Sequence, residues 1–160
     1  MKKNIIPEAI LLGVLVLALF LTAAKALAFQ ATVAQQNSSG KNKNIEKINA
    51  IRANVFAWAE TWENKDINKY MAYYSPNFRS GNINYRLWRE KKSIVFQRPG
   101  AISVKILDLW VLVEGNTATV SFIQKYQDAK HADIGEKVLK FIQVGEHWRI
   151  ISEQWKPLKG

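Results

Sequence analysis

The chain contains no cysteine among its 160 residues, and this absence excludes several structural and chemical classes. A disulfide scaffold, a zinc–thiolate site, a thiol nucleophile and a lipid anchor on an N-terminal cysteine all require a residue that the sequence does not supply. The absence does not indicate a compartment, since a cysteine-free chain suits oxidising and reducing surroundings equally well.

Histidine is nearly as scarce, with His131 and His147 as the two imidazoles. His131 falls in a polar stretch and His147 in a predicted tight turn, and neither has an obvious catalytic partner, so neither is expected to be catalytic. The sequence also has no HExxH motif, no glycine-rich phosphate loop and no ligand-spaced His/Asp cluster. We therefore expect neither a metal ion nor a cofactor.

Acidic residues are outnumbered, since 23 lysines and arginines against 13 aspartates and glutamates give a formal net charge of +10. Residues 1–28 contribute +2 of this charge, so the remainder of the chain carries +8. This balance favours anionic surroundings such as lipid headgroups or acidic glycans, although a solvated basic surface explains it equally well. Nucleic acid is not an expected partner, because no recognition motif supports it and the N-terminus indicates export.

The longest uncharged run, Ala9–Ala24, follows a short N-terminal segment that contains two lysines. Small residues suited to signal peptidase follow and end at Ala28, so residues 1–28 are predicted to be a secretory signal peptide. An uncleaved membrane anchor is the alternative, because Lys25 can snorkel and the apolar residues after it can lengthen the span. In either case the remainder is expected to be periplasmic, soluble after cleavage near Ala28 or tethered to the inner membrane.

The rest of the chain divides into a polar stretch and one candidate domain. Residues 29–44 are rich in glutamine, asparagine and serine without apolar periodicity, which predicts a flexible linker. Residues 45–160 form the domain, and about 115 residues bury roughly two-thirds of the surface that their unfolded chain exposes. That is enough for one hydrophobic core.

The domain begins with helical spacing and continues with strand alternation. Apolar residues recur at three- and four-residue steps from Ile48 to Trp62, which predicts a first helix. A second helix starts at an Asp66 N-cap, carries Tyr70 and Tyr74, and ends at Ser75-Pro76, and a third covers residues 85–96. Four strands are predicted at residues 102–113, 118–126, 137–144 and 148–155, with a hairpin turn at Gly115-Asn116.

This order of elements predicts an α+β domain in which N-terminal helices pack on a curved antiparallel sheet, preceded by the export or anchor helix. Long antiparallel strands coil, and a strongly curved sheet wrapped over helices leaves a cone with one open mouth. The mouth of the cone is where we expect a ligand to bind.

Aromatic helix residues and three motifs in the C-terminal strands form the most specific pattern in the domain. The pattern comprises Phe56-Ala57-Trp58-Ala59, Trp62, Lys65-Asp66, Tyr70, Tyr73-Tyr74-Ser75, Phe78, Trp88, Val120–Tyr126, Lys137-Val138-Leu139 and Trp148–Trp155. Across residues 48–156 the chain resembles the nuclear-transport-factor-2-like (SnoaL-like) superfamily, and within it the C-terminal domain of bacterial L,D-transpeptidase-type cell-wall proteins. The resemblance implies a cone-shaped fold and an accessory module that positions cell-wall enzymes or their peptidoglycan substrate. It does not imply transpeptidation, because those enzymes attack with a cysteine.

Six residues are candidates for a ligand-binding mouth. Gln124 and Tyr126 share one strand face, so their polar ends would reach the mouth, although Tyr126 could instead cap the core with its hydroxyl in water. Helical spacing predicts core packing for Trp58, Trp62, Tyr70 and Tyr74. Trp88, beside Arg86 and Arg89, is expected to be more exposed than these four. The full set is Trp88, Gln124, Tyr126, Lys137, Glu153 and Trp155.

A carboxylate in the cone is the one source of catalysis that the sequence offers. Superfamily isomerases use such an acid, whose pKa an apolar site raises. Glu153, predicted to face the same side as Ile151 and Trp155, and Asp108 in mid-strand are the candidates. A structural ion pair of Glu153 with Lys137 or Arg149 is the stronger interpretation.

The densest basic stretch contains Arg86, Arg89, Lys91, Lys92 and Arg98. It is predicted to be a solvated helix face, with a contact to anionic lipid or to peptidoglycan carboxylates as the alternative. Taken together, the sequence favours a non-catalytic periplasmic module that binds peptidoglycan or a cell-wall enzyme. A small cofactor-free SnoaL- or isomerase-like enzyme is the second hypothesis. A structural subunit of a membrane-tethered envelope complex, with a retained anchor and a homodimer or larger oligomer, is the third.

Overall fold

A computed structural model describes the backbone of residues 8–158 and the side chains of residues 27–158. Of the export segment predicted for residues 1–28, residues 1–7 lie outside the described residues, and side chains are described only from residue 27. The chain forms two compact units, one ending at Lys43 and the other beginning at Asn44. Within the described part of the chain, no helix has both the length and the apolar character that crossing a membrane requires.

The first helix, α1 (Glu8–Glu63), crosses the stretch 29–44, for which the sequence predicts a flexible linker. The structure differs here for a local reason. No proline interrupts α1, and seven of residues 29–44 are alanine, glutamine or lysine, which are good helix formers. From residue 27 to residue 46 the side chains are all exposed. In the second unit, buried residues appear on α1 at helical spacing: Ile51, Val55, Trp58, Ala59 and Trp62.

Two shorter helices begin at side-chain caps. In α2 (Ile67–Ala72), the Asp66 carboxylate accepts the backbone N–H of Lys69 at 3.0 Å, which confirms the predicted N-cap. In α3 (Tyr85–Phe96), Asn84 caps the first turn in the same way. The second helix ends earlier than predicted, and Tyr74, expected on that helix, instead begins a strand.

Six strands form one sheet in the order β2-β1-β6-β5-β4-β3. The four long antiparallel strands were predicted, but β1 and β2 were not, and β1 pairs in parallel with β6. The Ser75-Pro76 pair predicted a helix end, yet Pro76 falls inside an irregular stretch of the β1–β6 pairing, where its missing N–H interrupts no ladder. The strands are β1 (Tyr74–Ser80), β2 (Ile83–Asn84), β3 (Ser103–Glu114), β4 (Thr117–Gln127), β5 (Ala132–Val144) and β6 (His147–Pro157).

Two irregularities in the sheet decide which side chains face the helices. The β3–β4 register shifts between Leu107 and Trp110, where Asp108 has a φ of 51° and is exposed. The Asp108 carboxylate therefore does not lie in the cone, and its candidacy as a buried acid was wrong. The β5–β6 register shifts beside Ile151, so Glu153 shares the inner face with Ile150. The prediction that Glu153 faces the same side as Ile151 was therefore wrong.

The curved, unclosed sheet packs on the helices of the second unit and confirms the predicted α+β cone. Aromatic rings dominate the core between the two layers. Trp58, Trp62, Tyr70 and Tyr74 are all buried, as their helical spacing predicted. Neighbouring rings among them meet at centroid distances between 5.1 and 5.9 Å, within the range in which aromatic pairs attract.

Candidate ligand-binding cavity

A cavity of about 500 Å³ lies in the second unit, bounded by residues of α1 and α3 and by the inner face of β4, β5 and β6. Its volume falls in the range of small-ligand sites. The structure brings all six candidate residues to this one cavity. They are Trp88 on α3, Gln124 and Tyr126 on β4, Lys137 on β5, and Glu153 and Trp155 on β6.

The six candidates lie at different depths. Trp155 is 40% exposed and borders the opening. Trp88 is 7% exposed, slightly more than the four aromatic residues predicted to pack in the core but still buried. Trp88 is buried because it occupies the inward face of α3 together with Phe96. Lys137 and Glu153 are almost fully buried and form the floor of the cavity.

The floor of the cavity is a buried ion pair supported by phenols. Lys137 Nζ donates to Glu153 Oε1, so Lys137 and not Arg149 is the partner of Glu153. The Tyr74 hydroxyl donates to Glu153 Oε2 at 2.8 Å and is in turn 2.6 Å from the Tyr70 hydroxyl. Both carboxylate oxygens are therefore occupied, which a buried carboxylate requires.

These contacts decide the protonation state of the floor. Burial alone would raise the pKa of Glu153, but the charges of Lys137 and Lys92 and the two hydrogen bonds outweigh it and hold the pKa below its ordinary value. Burial and the Glu153 charge raise the pKa of Tyr70 and of Tyr74 well above the usual range. The floor thus combines an ionised carboxylate with neutral phenols, and a carboxylate held in this way is a weak general base.

A second buried lysine, Lys92, was assigned by the sequence to a solvated helix face. It is 7% exposed, and its Nζ lies 3.7 Å from the Trp62 ring centroid and 4.8 Å from that of Trp88. Among the ion pairs of the described residues none includes Lys92. A sequence signal existed, because Lys92 stands four residues after Trp88 and four before Phe96, on the buried face of α3.

Burial sets the charge of Lys92. It lowers the pKa of the ammonium to about 7, against the attraction of Glu153, while the neighbouring charges of Lys137 and Lys91 lower it further and that of Asp133 opposes them. The aromatic faces of Trp62 and Trp88 attract the cation but cannot replace its lost hydration. Lys92 is therefore partly charged near neutral pH and lacks an anionic partner in direct contact.

Four buried side-chain atoms in the described part of the chain have no hydrogen-bond partner, and all four belong to residues that line this cavity. Two are indole donors, Trp62 Nε1 and Trp88 Nε1, and two are acceptors, Gln124 Oε1 and Asp133 Oδ1. Buried polar atoms are paired in the great majority of cases, so this concentration of unpaired atoms needs a cause. Ordered water or a polar ligand in the cavity supplies partners of this kind.

Tyr126 and Arg98 border the cavity through a common partner, Asp128. The Tyr126 hydroxyl donates to Asp128 Oδ2 at 2.7 Å, and Arg98 Nη1 donates to the same oxygen at 3.0 Å. The tyrosine hydroxyl is thus bound within the protein and does not end in water. Arg98 is neutralised by this contact. In the described part of the chain, no three histidine, aspartate or glutamate side chains are placed to hold a metal ion.

Comparisons with known proteins find one matching family model and several solved structures of similar fold. The family model of the Cds6 C-terminal NTF2-like domain matches residues 50–154. A search of curated proteins finds no match. Among solved structures, Bd1075 from Bdellovibrio bacteriovorus is 28% identical, with a TM-score of 0.66 over 68% of this chain and 40% of that chain.

Two further structures show the breadth of the likeness. The helical cell shape determining protein Pgp2 from Campylobacter jejuni is 22% identical, with a TM-score of 0.61 over 67% of this chain and 40% of that chain. A candidate scytalone dehydratase from Novosphingobium aromaticivorans is 11% identical, with a TM-score of 0.67 over 74% and 89%. At such identities these two show the fold alone. The chain spans about two fifths of the length of Bd1075 and of Pgp2.

Proposed function

The chain belongs to the family of Cds6 C-terminal NTF2-like domains, and from this membership we propose that it is a non-catalytic accessory module of the cell envelope. Its cavity binds a carboxylate-bearing component of the cell wall, with peptidoglycan as the first candidate. The nuclear-transport-factor-2-like resemblance found in the sequence is confirmed by the family match. The closer likeness to L,D-transpeptidase-type proteins stays a prediction.

The observation that carries the proposal is the buried and unpaired Lys92. A cation without a counter-ion destabilises a folded protein, so its presence in a cavity indicates a site that an anion completes. The indole N–H groups of Trp62 and Trp88 are unpaired donors in the same wall. A carboxylate accepts several such hydrogen bonds, and charge-assisted bonds of this kind are the stronger ones.

Three further features support a ligand from the cell envelope. The net charge of +10 favours polyanionic surroundings. The N-terminal sequence predicts export, which would bring the domain to the compartment that contains peptidoglycan. One structural neighbour is described as a cell shape determining protein, although that likeness concerns the fold alone.

Co-sedimentation of the full chain with intact sacculi tests the proposal. We expect the wild-type chain to be retained and Lys92→Met to lose at least tenfold in retention. Lys140→Met is the matched control, because Lys140 is exposed on β5 and its loss removes at least as much positive charge as the loss of the partly charged Lys92. Equal retention of the two variants would show that binding depends on charge alone, and absence of retention of the wild type would contradict the cell-wall ligand.

A cofactor-free enzyme is the second candidate, and the buried carboxylate of Glu153 is the observation in its favour. Scytalone dehydratase-type chemistry on this fold is an analogy only, at 11% identity. Against catalysis, both oxygens of Glu153 are bound and its pKa is lowered. If Glu153 is catalytic, the Glu153→Gln variant should keep its ligand affinity and its stability. If Glu153 is instead the structural partner of Lys137, the same variant should be less stable.

A further inference from the structure

The two walls of the cavity differ in hydrogen-bonding character. The helix wall presents unpaired donors, namely the indole N–H groups of Trp62 and Trp88 beside the ammonium of Lys92. The sheet wall presents unpaired acceptors, Gln124 Oε1 and Asp133 Oδ1. A ligand with a single anionic group satisfies the helix wall and leaves the acceptors of the sheet wall without partners.

The acceptors of the sheet wall lie close together through the strand register. Asp133 on β5 is opposite Tyr126 on β4, and Gln124 stands two residues before Tyr126 on the same inner face. One oxygen of Asp133, Oδ2, lies 2.9 Å from Nε2 of His131, a residue exposed at the surface. The other oxygen, Oδ1, is buried and has no hydrogen-bond partner among the described residues.

The charges that remain after internal pairing have opposite signs on the two walls. Glu153 neutralises Lys137, and Asp128 neutralises Arg98. Lys92 is left on the helix wall. On the sheet wall, Asp133 contacts His131 through Oδ2 and has no partner at Oδ1. No ion pair joins Lys92 and Asp133 among the described residues. The one other cation of the lining, Lys91, is exposed on α3. Two opposite and separated charges match a ligand that itself carries both signs.

We propose that the cavity binds a zwitterionic amino-acid head group, with its carboxylate against Lys92, Trp62 and Trp88 and its ammonium against Asp133 and Gln124. This inference rests on the proposed function, which requires the carboxylate half of the site, and it adds the ammonium half. The ligand carboxylate then matches the donors and the buried charge of the helix wall, and its ammonium matches the acceptors of the sheet wall.

Isothermal titration of the full chain with four probes at pH 6.5 tests the inference. The probes are D-alanine (both charges), N-acetyl-D-alanine (carboxylate only), D-alaninamide (ammonium only) and N-acetyl-D-alaninamide (neither charge), with L-alanine as the enantiomer. We expect D- or L-alanine to bind at least tenfold more tightly than N-acetyl-D-alanine, and the other two probes to bind more weakly still.

Variants separate the two halves of the site. Asp133→Asn keeps the shape of the side chain and is expected to remove the advantage of alanine over N-acetyl-D-alanine, while Lys92→Met weakens both ligands. Glu146→Gln, an exposed residue of the β5–β6 turn, is the control for loss of a negative charge, and circular dichroism checks the fold of each variant.

The outcomes are distinguishable. Equal affinity for alanine and N-acetyl-D-alanine, or preferential binding of D-alaninamide, overturns the zwitterion inference. The first of these results leaves the proposed carboxylate site intact. Failure of every carboxylate probe to bind overturns both the inference and the carboxylate-binding function on which it rests.

Discussion

The ammonium nitrogen of Lys92 lies 3.7 Å from the centroid of the Trp62 ring and has no carboxylate partner among the described residues. A second lysine, Lys137, lies 5.9 Å from the same ring but is paired with Glu153. One aromatic cavity thus holds two buried lysines in different electrostatic surroundings. The paired lysine has its counter-ion within the fold, and the unpaired one is the residue that we propose to bind a ligand.

Replacing Lys92 is expected to remove binding without destabilising the fold. Methionine keeps the length of the side chain and eliminates the desolvated charge, so Lys92→Met should leave the free energy of unfolding unchanged or raise it by up to about 2 kcal/mol. Urea unfolding at pH 6.5, where wild-type Lys92 is largely protonated, measures this difference. A loss of several kcal/mol would indicate that Lys92 is a structural residue.

Replacing Glu153 is expected to have the opposite effect. Glu153→Gln retains the shape of the side chain but leaves the Lys137 ammonium buried without its counter-ion, which costs about 3 kcal/mol. Urea unfolding of the single variant and of Lys137→Met/Glu153→Gln measures this cost. The double variant should recover part of the loss, and a fully stable single variant would refute the structural ion pair.

The stability of the chain is expected to fall in acid, partly through Glu153. The pKa of its carboxyl is lower in the folded state than the ordinary value of 4.5. The stability that it contributes is therefore complete above about pH 4.5 and is lost as the pH falls through the folded-state pKa. Unfolding free energies measured between pH 6 and pH 3 should decline, and less steeply in Glu153→Gln. Some decline should remain in the variant, because hydrogen bonds from backbone and side-chain donors also lower the pKa of Asp128.

Gly135 leaves room for Trp155 at the opening of the cavity. A Cβ on residue 135 would lie 2.5 Å from the carbonyl oxygen of Lys156 and 2.6 Å from Cε2 of the Trp155 indole. Gly135→Ala should therefore displace Trp155, cost about 1–3 kcal/mol, and shift the tryptophan fluorescence. Gly40→Ala is the control, since nothing lies within 4 Å of a Cβ there. An unchanged spectrum in Gly135→Ala would contradict the close approach.

Local patterns in the sequence were sufficient for most of the fold. Asp66 capped its helix as predicted, α3 has the predicted bounds, and alternation identified the four long strands. Strands β1 and β2 were missed because β1 is stabilised by pairing with β6, more than 70 residues later, and carries a proline. The sheet irregularities at Asp108 and Ile151 were missed because alternation assumes an unbroken period of two.

The site was accessible to sequence reasoning only in part. The six candidate residues line one cavity. Period-two alternation placed the five strand residues on one face, and Trp88 reaches the cavity from α3. Their depth was not predictable, since lysine and glutamate are rarely buried and nothing local indicates which charges a fold encloses. Lys92 was assigned to the solvent for this reason, although its four-residue spacing from Trp88 and Phe96 placed it on the inward face of α3.

The protonation of Lys92 tests the account most directly. Proton–carbon NMR of the Lys92 ε-methylene, assigned by its loss in Lys92→Met and followed from pH 5 to pH 11 in the full chain, measures this pKa with and without N-acetyl-D-alanine. We predict a pKa near 7 in the free protein, because burial lowers it, and a higher pKa with the probe, because an anion that binds the charged form stabilises it. A pKa near 10.5 that the carboxylate does not change would contradict a desolvated, anion-binding lysine in this cavity.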